Sequence, residues 1–179
     1  MIGYDRPKAT QTPPNARKSA VLCLLHEPTE SIILIQRPSY DGVHSGQIAF
    51  PGGKWEKSDE FPTGTALRET EEEIGVPPSE IELFGELTSV YIPPSNFIVH
   101  PLVGKTSYAT FQPEAREVES IIHLPIRTFL APSILSTEQI TISTGVKYTT
   151  PVFKYENRVI WGATAMMLSE LRHFIAASL

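Results

Sequence analysis

Short apolar runs rich in branched side chains recur along this chain, with turn residues between them. Three of these runs, at residues 20–25, 31–37 and 47–50, come before residue 65. Their length and their bounding residues are typical of strands. Further strands are predicted after residue 80, at residues 81–92, 97–103, 118–124 and 139–143. The pattern therefore predicts strands on both sides of a central segment that has a different period.

That central segment, residues 65–74, has the period of a helix. Glu69, Glu72 and Glu73 are spaced at i, i+3 and i+4, so their carboxylates project from one flank. Another flank carries Ala66, Leu67, Thr70 and Ile74. The helix is expected to end at Gly75, because two prolines follow at positions 77 and 78.

The remaining elements complete a mixed α/β pattern. A hairpin is predicted to pair residues 152–155 with 158–161, and a helix is predicted at residues 163–177. Strands on both sides of one helix, with a second helix at the end, predict an α/β fold with a mixed sheet and helices on two faces. Prolines at positions 7, 13 and 14 favour an extended arm at residues 1–18, which leaves one domain at residues 19–179.

The carboxylates of the central helix are candidate metal ligands. Like charges at i, i+4 repel by about 0.2–0.5 kcal/mol, and Arg68 can offset only part of this by pairing with Glu72. A bound cation would remove the repulsion. Because the donors are all oxygen, a hard ion such as Mg2+ or Mn2+ is expected rather than structural zinc. Four glutamates taken alone also fit a solvated helix face.

A motif around this helix favours the metal site. The residues from Arg68 to Gly75 read R-E-x-x-E-E-x-G, and the glycine pair Gly52-Gly53 lies upstream. This arrangement resembles the Nudix box, and the resemblance implies a Nudix hydrolase with an α/β/α sandwich around a mixed central sheet. The spacing from the glycines is longer by one residue than the family pattern. The upstream acid of the box is therefore either Asp59 or Glu60.

A second motif precedes the box and resembles the signature of coenzyme A pyrophosphatases. It comprises residues 33–35, Arg37, Gly46 and residues 50–53. The match is incomplete, because Pro38 and Gly42 stand where that signature has a small residue and a second Arg, and Ile35 stands for its Thr. Residues 91–97 and 160–165 also resemble this subgroup. The resemblance implies hydrolysis of coenzyme A or acyl-CoA to 3′,5′-ADP and 4′-phosphopantetheine.

Roles can be assigned to the residues of both motifs. The box predicts Glu72 and Glu73 as principal metal ligands, Glu69 as a third ligand or the general base, and Arg68 as the group that orients a carboxylate. The resemblance implies that the Gly53 carbonyl contacts metal and that Glu117 is a candidate further ligand or base, with a solvated loop glutamate as the alternative. Residues predicted to contact substrate are Arg37, His44, Gly52 and Gly53. The other histidines, at positions 26, 100, 123 and 173, have no ligand-like spacing and are predicted to be structural or exposed.

Two alternatives stay open at this point. The same chemistry could act on ADP-ribose or on a dinucleotide such as NADH, since the second Arg of the coenzyme A signature is missing. A Nudix domain could also sense a nucleotide without cleaving it. The intact set of carboxylates argues against a sensor.

Composition limits the partners. The formal net charge of −5, with scattered Lys and Arg, argues against nucleic-acid binding. No apolar stretch approaches ~18 residues, and the first residues lack the apolar core of a signal peptide, so neither a membrane nor an export route is expected. A single cysteine, Cys23, excludes an internal disulfide and fits a reducing, cytoplasmic location. The expected partner is a small-molecule nucleotide, and a homodimer is compatible with the sequence.

Overall fold

The computed structural model describes residues 12–39, 46–141, 145 and 147–177. The strands are β1 (Arg17–His26), β2 (Ser31–Gln36), β3 (Ile48–Ala49), β4 (Gly52–Lys54), β5 (Glu82–Glu86), β6 (Val90–Ile92), β7 (Phe97–Thr106), β8 (Ser120–Pro125), β9 (Leu135–Thr141), β10 (Lys147–Tyr155) and β11 (Arg158–Ile160). The helices are α1 (Thr63–Ile74), α2 (Ile126–Leu130) and α3 (Gly162–Ala177). The first strand includes residues 17 and 18 of the predicted arm.

The strand β1 is the centre of a mixed sheet of eight strands within the described residues. One edge of β1 pairs in parallel with β7 along its whole length. The other edge is shared, because β2 pairs with the half of β1 around Leu25 and β4 pairs with the half around Ala20. The sheet therefore divides between β2 and β4. The glycine pair of β4 lies at this division.

Successive side chains of β1 and β2 point to opposite faces of the sheet, and both faces are covered. Leu22 and Leu24 lie in an apolar cluster with Ala66 and Ile74 of α1. Cys23 points to the opposite face, where a second cluster includes side chains from α2, α3, β10 and β11. Helices therefore pack on the two faces of a mixed sheet, as the sequence predicted. The nearly continuous apolar run of β2 follows from burial on both sides.

The predicted C-terminal hairpin is confirmed, with Tyr155 paired to Arg158 in a small antiparallel sheet of β9, β10 and β11. The single strand predicted at residues 81–92 is wrong, because β5 and β6 pair separately with β7. Pro101 of β7 lies opposite the break. Its carbonyl accepts a hydrogen bond from the Leu87 N–H, but proline has no N–H to return one, so the ladder is interrupted.

None of the helices within the described residues is long and apolar enough to cross a membrane.

Candidate metal centre

The helix α1 turns Glu73 toward the sheet and its neighbouring glutamates away from it. Thr70 and Ile74 lie on the buried flank together with Glu73, whereas Glu71 and Glu72 are exposed. The helix ends at Gly75, whose positive φ of 73° is readily adopted by glycine. Its N–H donates to the Glu71 carbonyl at 2.9 Å. The predicted helix is confirmed, but its three carboxylates do not share one environment.

Glu73 is a buried carboxylate held by two donors. Its side chain is 1% exposed. The Gly52 N–H donates to Glu73 Oε2 at 2.8 Å, and Arg37 Nη2 donates to Glu73 Oε1 at 3.2 Å. The same Arg37 nitrogen donates to the Gly52 carbonyl at 3.1 Å. Burial raises the pKa of Glu73 to about 7, although Arg37 and the Gly52 N–H oppose the increase.

Asp59 is the acid that pairs with Arg68, which decides between the two upstream acids of the box. Arg68 Nε donates to Asp59 Oδ1 at 3.0 Å, and Arg68 Nη2 donates to Asp59 Oδ2 at 3.0 Å. The Thr65 hydroxyl and the Glu56 N–H also donate to Asp59 Oδ2. Hydrogen bonding by Arg68 lowers the pKa of Asp59 to about 2 despite its burial. Glu60, the alternative, is exposed.

Arg68 also donates hydrogen bonds to two carboxylates of α1. Its Nη2 donates to Glu69 Oε1 at 3.0 Å and to the Lys54 carbonyl at 3.1 Å. Its Nη1 donates to Glu72 Oε2 at 2.9 Å. The Glu72 side chain is 58% exposed, so this pair on the helix surface contributes little to stability. The orienting role of Arg68 in catalysis stays a prediction, and these contacts are the geometry that it requires.

Glu69 lies directly against the glycine pair. A Cβ at Gly53 would collide with the Glu69 carboxylate. Glycine at position 53 therefore lets the β4 backbone approach this carboxylate closely. Burial is the largest cause that raises the pKa of Glu69, while Arg68 acts in the opposite direction.

Glu117 completes a group of three carboxylates. One oxygen from each of Glu69, Glu73 and Glu117 lies within 4.8 Å of the others. Glu72 is not in this group, and its role as a ligand stays a prediction. A donor set made only of oxygen suits a hard divalent ion, and three carboxylates leave positions for water and phosphate oxygens. The residues present therefore fit Mg2+ or Mn2+.

The structure also defines what sequence reasoning missed. The contact of Arg37 with Glu73 joins positions far apart in the chain, and no local pattern indicates it. Thr65, which supports Asp59, carries no signal beyond its place in the first turn of the helix. Glu117 was a candidate from the resemblance alone. His44 lies outside the described residues.

A mixed sheet between helices, with carboxylates gathered at a glycine turn, defines an α/β protein with a site suited to a divalent cation. The sequence model of the NUDIX domain matches residues 16–133. An uncharacterized Nudix hydrolase, NudL of Yersinia pestis (strain Pestoides F), is 31% identical over 158 residues, which cover 88% of this chain and 78% of the relative. NudL of Yersinia pseudotuberculosis (serotype O:1b, strain IP 31758) gives the same values. The chain belongs to the Nudix hydrolase family.

Solved structures agree with the fold. The C. elegans Ap4A hydrolase binary complex superposes with a TM-score of 0.59 at 15% identity, covering 89% of this chain and 98% of that one. The Nudix hydrolase RenU from M. smegmatis also gives 0.59, at 14% identity, covering 90% and 87%. Nudix hydrolases generally use divalent metals such as Mg2+ or Mn2+ and act on small nucleotides.

Proposed function

We propose that this protein is a pyrophosphohydrolase that requires Mg2+ or Mn2+ and cleaves a nucleoside diphosphate linked to another group. The preferred substrate is coenzyme A or acyl-CoA, which would give 3′,5′-ADP and 4′-phosphopantetheine. The observation that carries the proposal is the group formed by Glu69, Glu73 and Glu117, whose oxygens lie within 4.8 Å of one another.

The reaction needs a water molecule aligned with the phosphoanhydride and a group that takes its proton. The water oxygen forms a bond to one phosphorus, the bridging P–O bond breaks, and the two phosphates separate. A divalent ion held by this group of carboxylates would supply charge neutralisation on the phosphates. Glu69 or Glu117 accepts the proton, since both carboxylates are less enclosed than Glu73. Arg68 holds Glu69 in place, and Arg37 with the Gly52 N–H holds Glu73.

Support for coenzyme A comes from the sequence upstream of the box, where Arg37, Gly46 and residues 50–53 match the signature of coenzyme A pyrophosphatases. The rival substrates are ADP-ribose and dinucleotides such as NADH. Two observations favour the rivals. Gly42 replaces the second Arg of the signature, and the one Arg that remains directs its Nη2 to Glu73.

A direct test compares hydrolysis of coenzyme A, ADP-ribose and NADH by the wild type with Mg2+ and with Mn2+. We expect the highest kcat/KM for coenzyme A, with release of 3′,5′-ADP. A higher value for ADP-ribose or NADH would replace the substrate assignment and leave pyrophosphohydrolysis in place. No turnover of any substrate, together with tight nucleotide binding, would support the sensor instead.

Substitution of Arg37 separates a substrate contact from a supporting role. Arg37→Ala is expected to lower kcat for coenzyme A and ADP-ribose alike, because Glu73 loses the guanidinium group that pairs with its carboxylate. If Arg37 also binds coenzyme A phosphates, KM for coenzyme A should rise more than KM for ADP-ribose. A charge-assisted contact of this kind is worth on the order of 1.5–3 kcal/mol. Equal changes in KM for both substrates would assign Arg37 to Glu73 alone, and Arg37→Lys serves as the charge-retaining control.

The location that we propose is the cytoplasm. Cys23 is fully buried and burial raises the pKa of its thiol, so it is an unreactive core residue that needs no oxidising compartment. Cell fractionation with an antibody to the natural protein would test this location.

A further inference from the structure

The third carboxylate of the cluster reaches the site from outside α1. Glu117 belongs to residues 111–119, between β7 and β8, and we call these residues the Glu117 segment. The Glu117 side chain is exposed. Packing around the side chain itself therefore does little to fix its carboxylate. Its position depends on how the backbone of the Glu117 segment is held.

The backbone of the Glu117 segment is held first by the C-terminal end of α1. The Gln112 N–H donates to the Ile74 carbonyl at 2.9 Å, and the Glu114 N–H donates to the Glu73 carbonyl at 3.0 Å. These are carbonyls of the last helical turn, which have no acceptor role inside the helix. A Cβ at Gly75 would lie 3.0 Å from the Cβ of Gln112, so glycine leaves room for this docking.

Further hydrogen bonds within the Glu117 segment, and from it to β2, fix the backbone between α1 and β8. The N–H groups of Glu117 and Val118 both donate to the Glu114 carbonyl, at 2.9 and 2.8 Å. The Glu119 N–H donates to the Gln36 carbonyl at 2.8 Å, which joins the segment to the end of β2. Val118 is 2% exposed and belongs to the apolar cluster on the α1 face. The turn that contains Glu117 is thus fixed on its C-terminal side.

On its N-terminal side the segment is anchored by an aromatic ring. Phe111 packs against the same apolar cluster as Val118. Its ring meets His26 edge to face with centroids 5.1 Å apart, and it meets His123 in the same manner at 5.4 Å. His26 is 5% exposed, and its Nδ1 lies 2.6 Å from the Thr29 hydroxyl. Phe111 therefore contacts rings that β1 and β8 hold in place.

We propose that Phe111 is a positioning residue for Glu117. Its ring fixes the start of the Glu117 segment against β1 and β8, so that Gln112 and Glu114 dock on α1 and Glu117 joins Glu69 and Glu73. The inference rests on the metal site of the proposed function. It assigns a role in that site to a side chain that belongs to neither of the sequence motifs.

The test measures Mn2+ affinity by isothermal titration calorimetry, with thermal melts on every variant. Phe111→Ala is expected to weaken Mn2+ binding about tenfold at a temperature where the variant is folded, and Phe111→Leu is expected to weaken it less. Leu83→Ala is the matched control, because Leu83 packs on the same cluster from β5. It should lower the melting temperature and leave Mn2+ affinity unchanged.

A double variant distinguishes positioning from general loosening. If Phe111 acts through Glu117, Phe111→Leu should have no further effect on Mn2+ affinity in a Glu117→Gln background. Additive losses, or an unchanged affinity in both Phe111 variants, would overturn the proposal. Failure of this proposal can be distinguished from failure of the proposed function. A wild type that binds Mn2+ but hydrolyses no substrate would refute the enzyme, while the Mn2+ affinities would still decide the role of Phe111.

Discussion

At the scale of single residues, adjacent glutamates on α1 differ because packing separates them. Glu72 is 58% exposed and Glu73 is 1% exposed. An unpaired charge in the second environment would be strongly destabilising. Arg37 and the Gly52 N–H compensate the Glu73 carboxylate, and both come from outside the helix. The two side chains are chemically identical, and packing against the sheet buries Glu73 while Glu72 stays in solvent.

Neutralising Glu73 should therefore affect catalysis far more than neutralising Glu71. Glu73→Gln preserves the shape of the side chain, so we expect an intact fold and a decrease in kcat of several orders of magnitude, because a neutral amide binds the metal weakly. Glu71→Gln, on the exposed flank, should be nearly silent. Steady-state kinetics on the best substrate measures both. Wild-type activity in Glu73→Gln would remove this residue from the site.

The raised pKa of Glu73 predicts how the metal-free protein responds to pH. Because the pKa is about 7 in the folded chain against an ordinary 4.5, the folded state holds a proton that the unfolded state releases between these values. The contribution of this proton to the free energy of unfolding is fully present below pH 4.5 and is lost as pH rises through 7. The loss amounts to about 3 kcal/mol. Denaturant titrations of wild type and Glu73→Gln between pH 5 and 8 measure the difference. An identical pH dependence in the two proteins would contradict the assignment.

At the scale of elements, the local pattern was informative wherever a contact lies within one element. The pattern predicts the box helix at residues 65–74, and the structure has it at Thr63–Ile74, because its period, Gly75 and the following prolines are all local signals. The contact between Arg37 and Glu73 could not be predicted in this way. It exists because β1 holds β2 and β4 along the same edge, which brings the end of β2 close to the glycine turn.

The two glycines of β4 should respond differently to the same substitution. A Cβ at Gly52 would collide with the backbone of Ala20 and Val21, and the φ of 144° is strained for any side chain. Gly52→Ala should therefore destabilise the fold. The nearest atoms that a Cβ at Gly53 would meet belong to the Glu69 carboxylate, the far end of a flexible side chain, so Gly53→Ala should keep most of the stability and lose activity by displacing Glu69. Melting temperature and kcat measured on both variants test this contrast, and equal losses of stability would contradict it.

At the scale of the whole molecule, the candidate site is formed where separate parts of the chain meet. Glu69 and Glu73 come from α1, Gly53 from β4, Arg37 from the end of β2, and Glu117 from the segment before β8. Repulsion among the carboxylates is present only when the chain is folded. This repulsion destabilises the folded state, and a bound divalent cation would remove it.

Divalent metal should accordingly raise the melting temperature. Binding at about one hundred times Kd stabilises the folded state by about 2.7 kcal/mol. For a chain of 179 residues this corresponds to an increase of about 5–10 °C. Thermal melts with Mg2+, with Mn2+ and with chelator measure the shift, and Glu73→Gln should reduce it. A melting temperature that is the same at millimolar metal and in chelator would argue against a metal centre at this position.

The parallel pairing of β1 with β7 also has a consequence for the order of folding. The register runs from Arg17 opposite Phe97 to His26 opposite Thr106, so α1 and both glycines lie inside the loop that this pairing closes. Closing a long loop before its contacts form slows folding. Helix α1 can form early from local contacts. Its Glu73, however, reaches Arg37 and Gly52 only after β2 and β4 have paired with β1. Protection of the Gly52 amide from hydrogen exchange should therefore develop late during refolding.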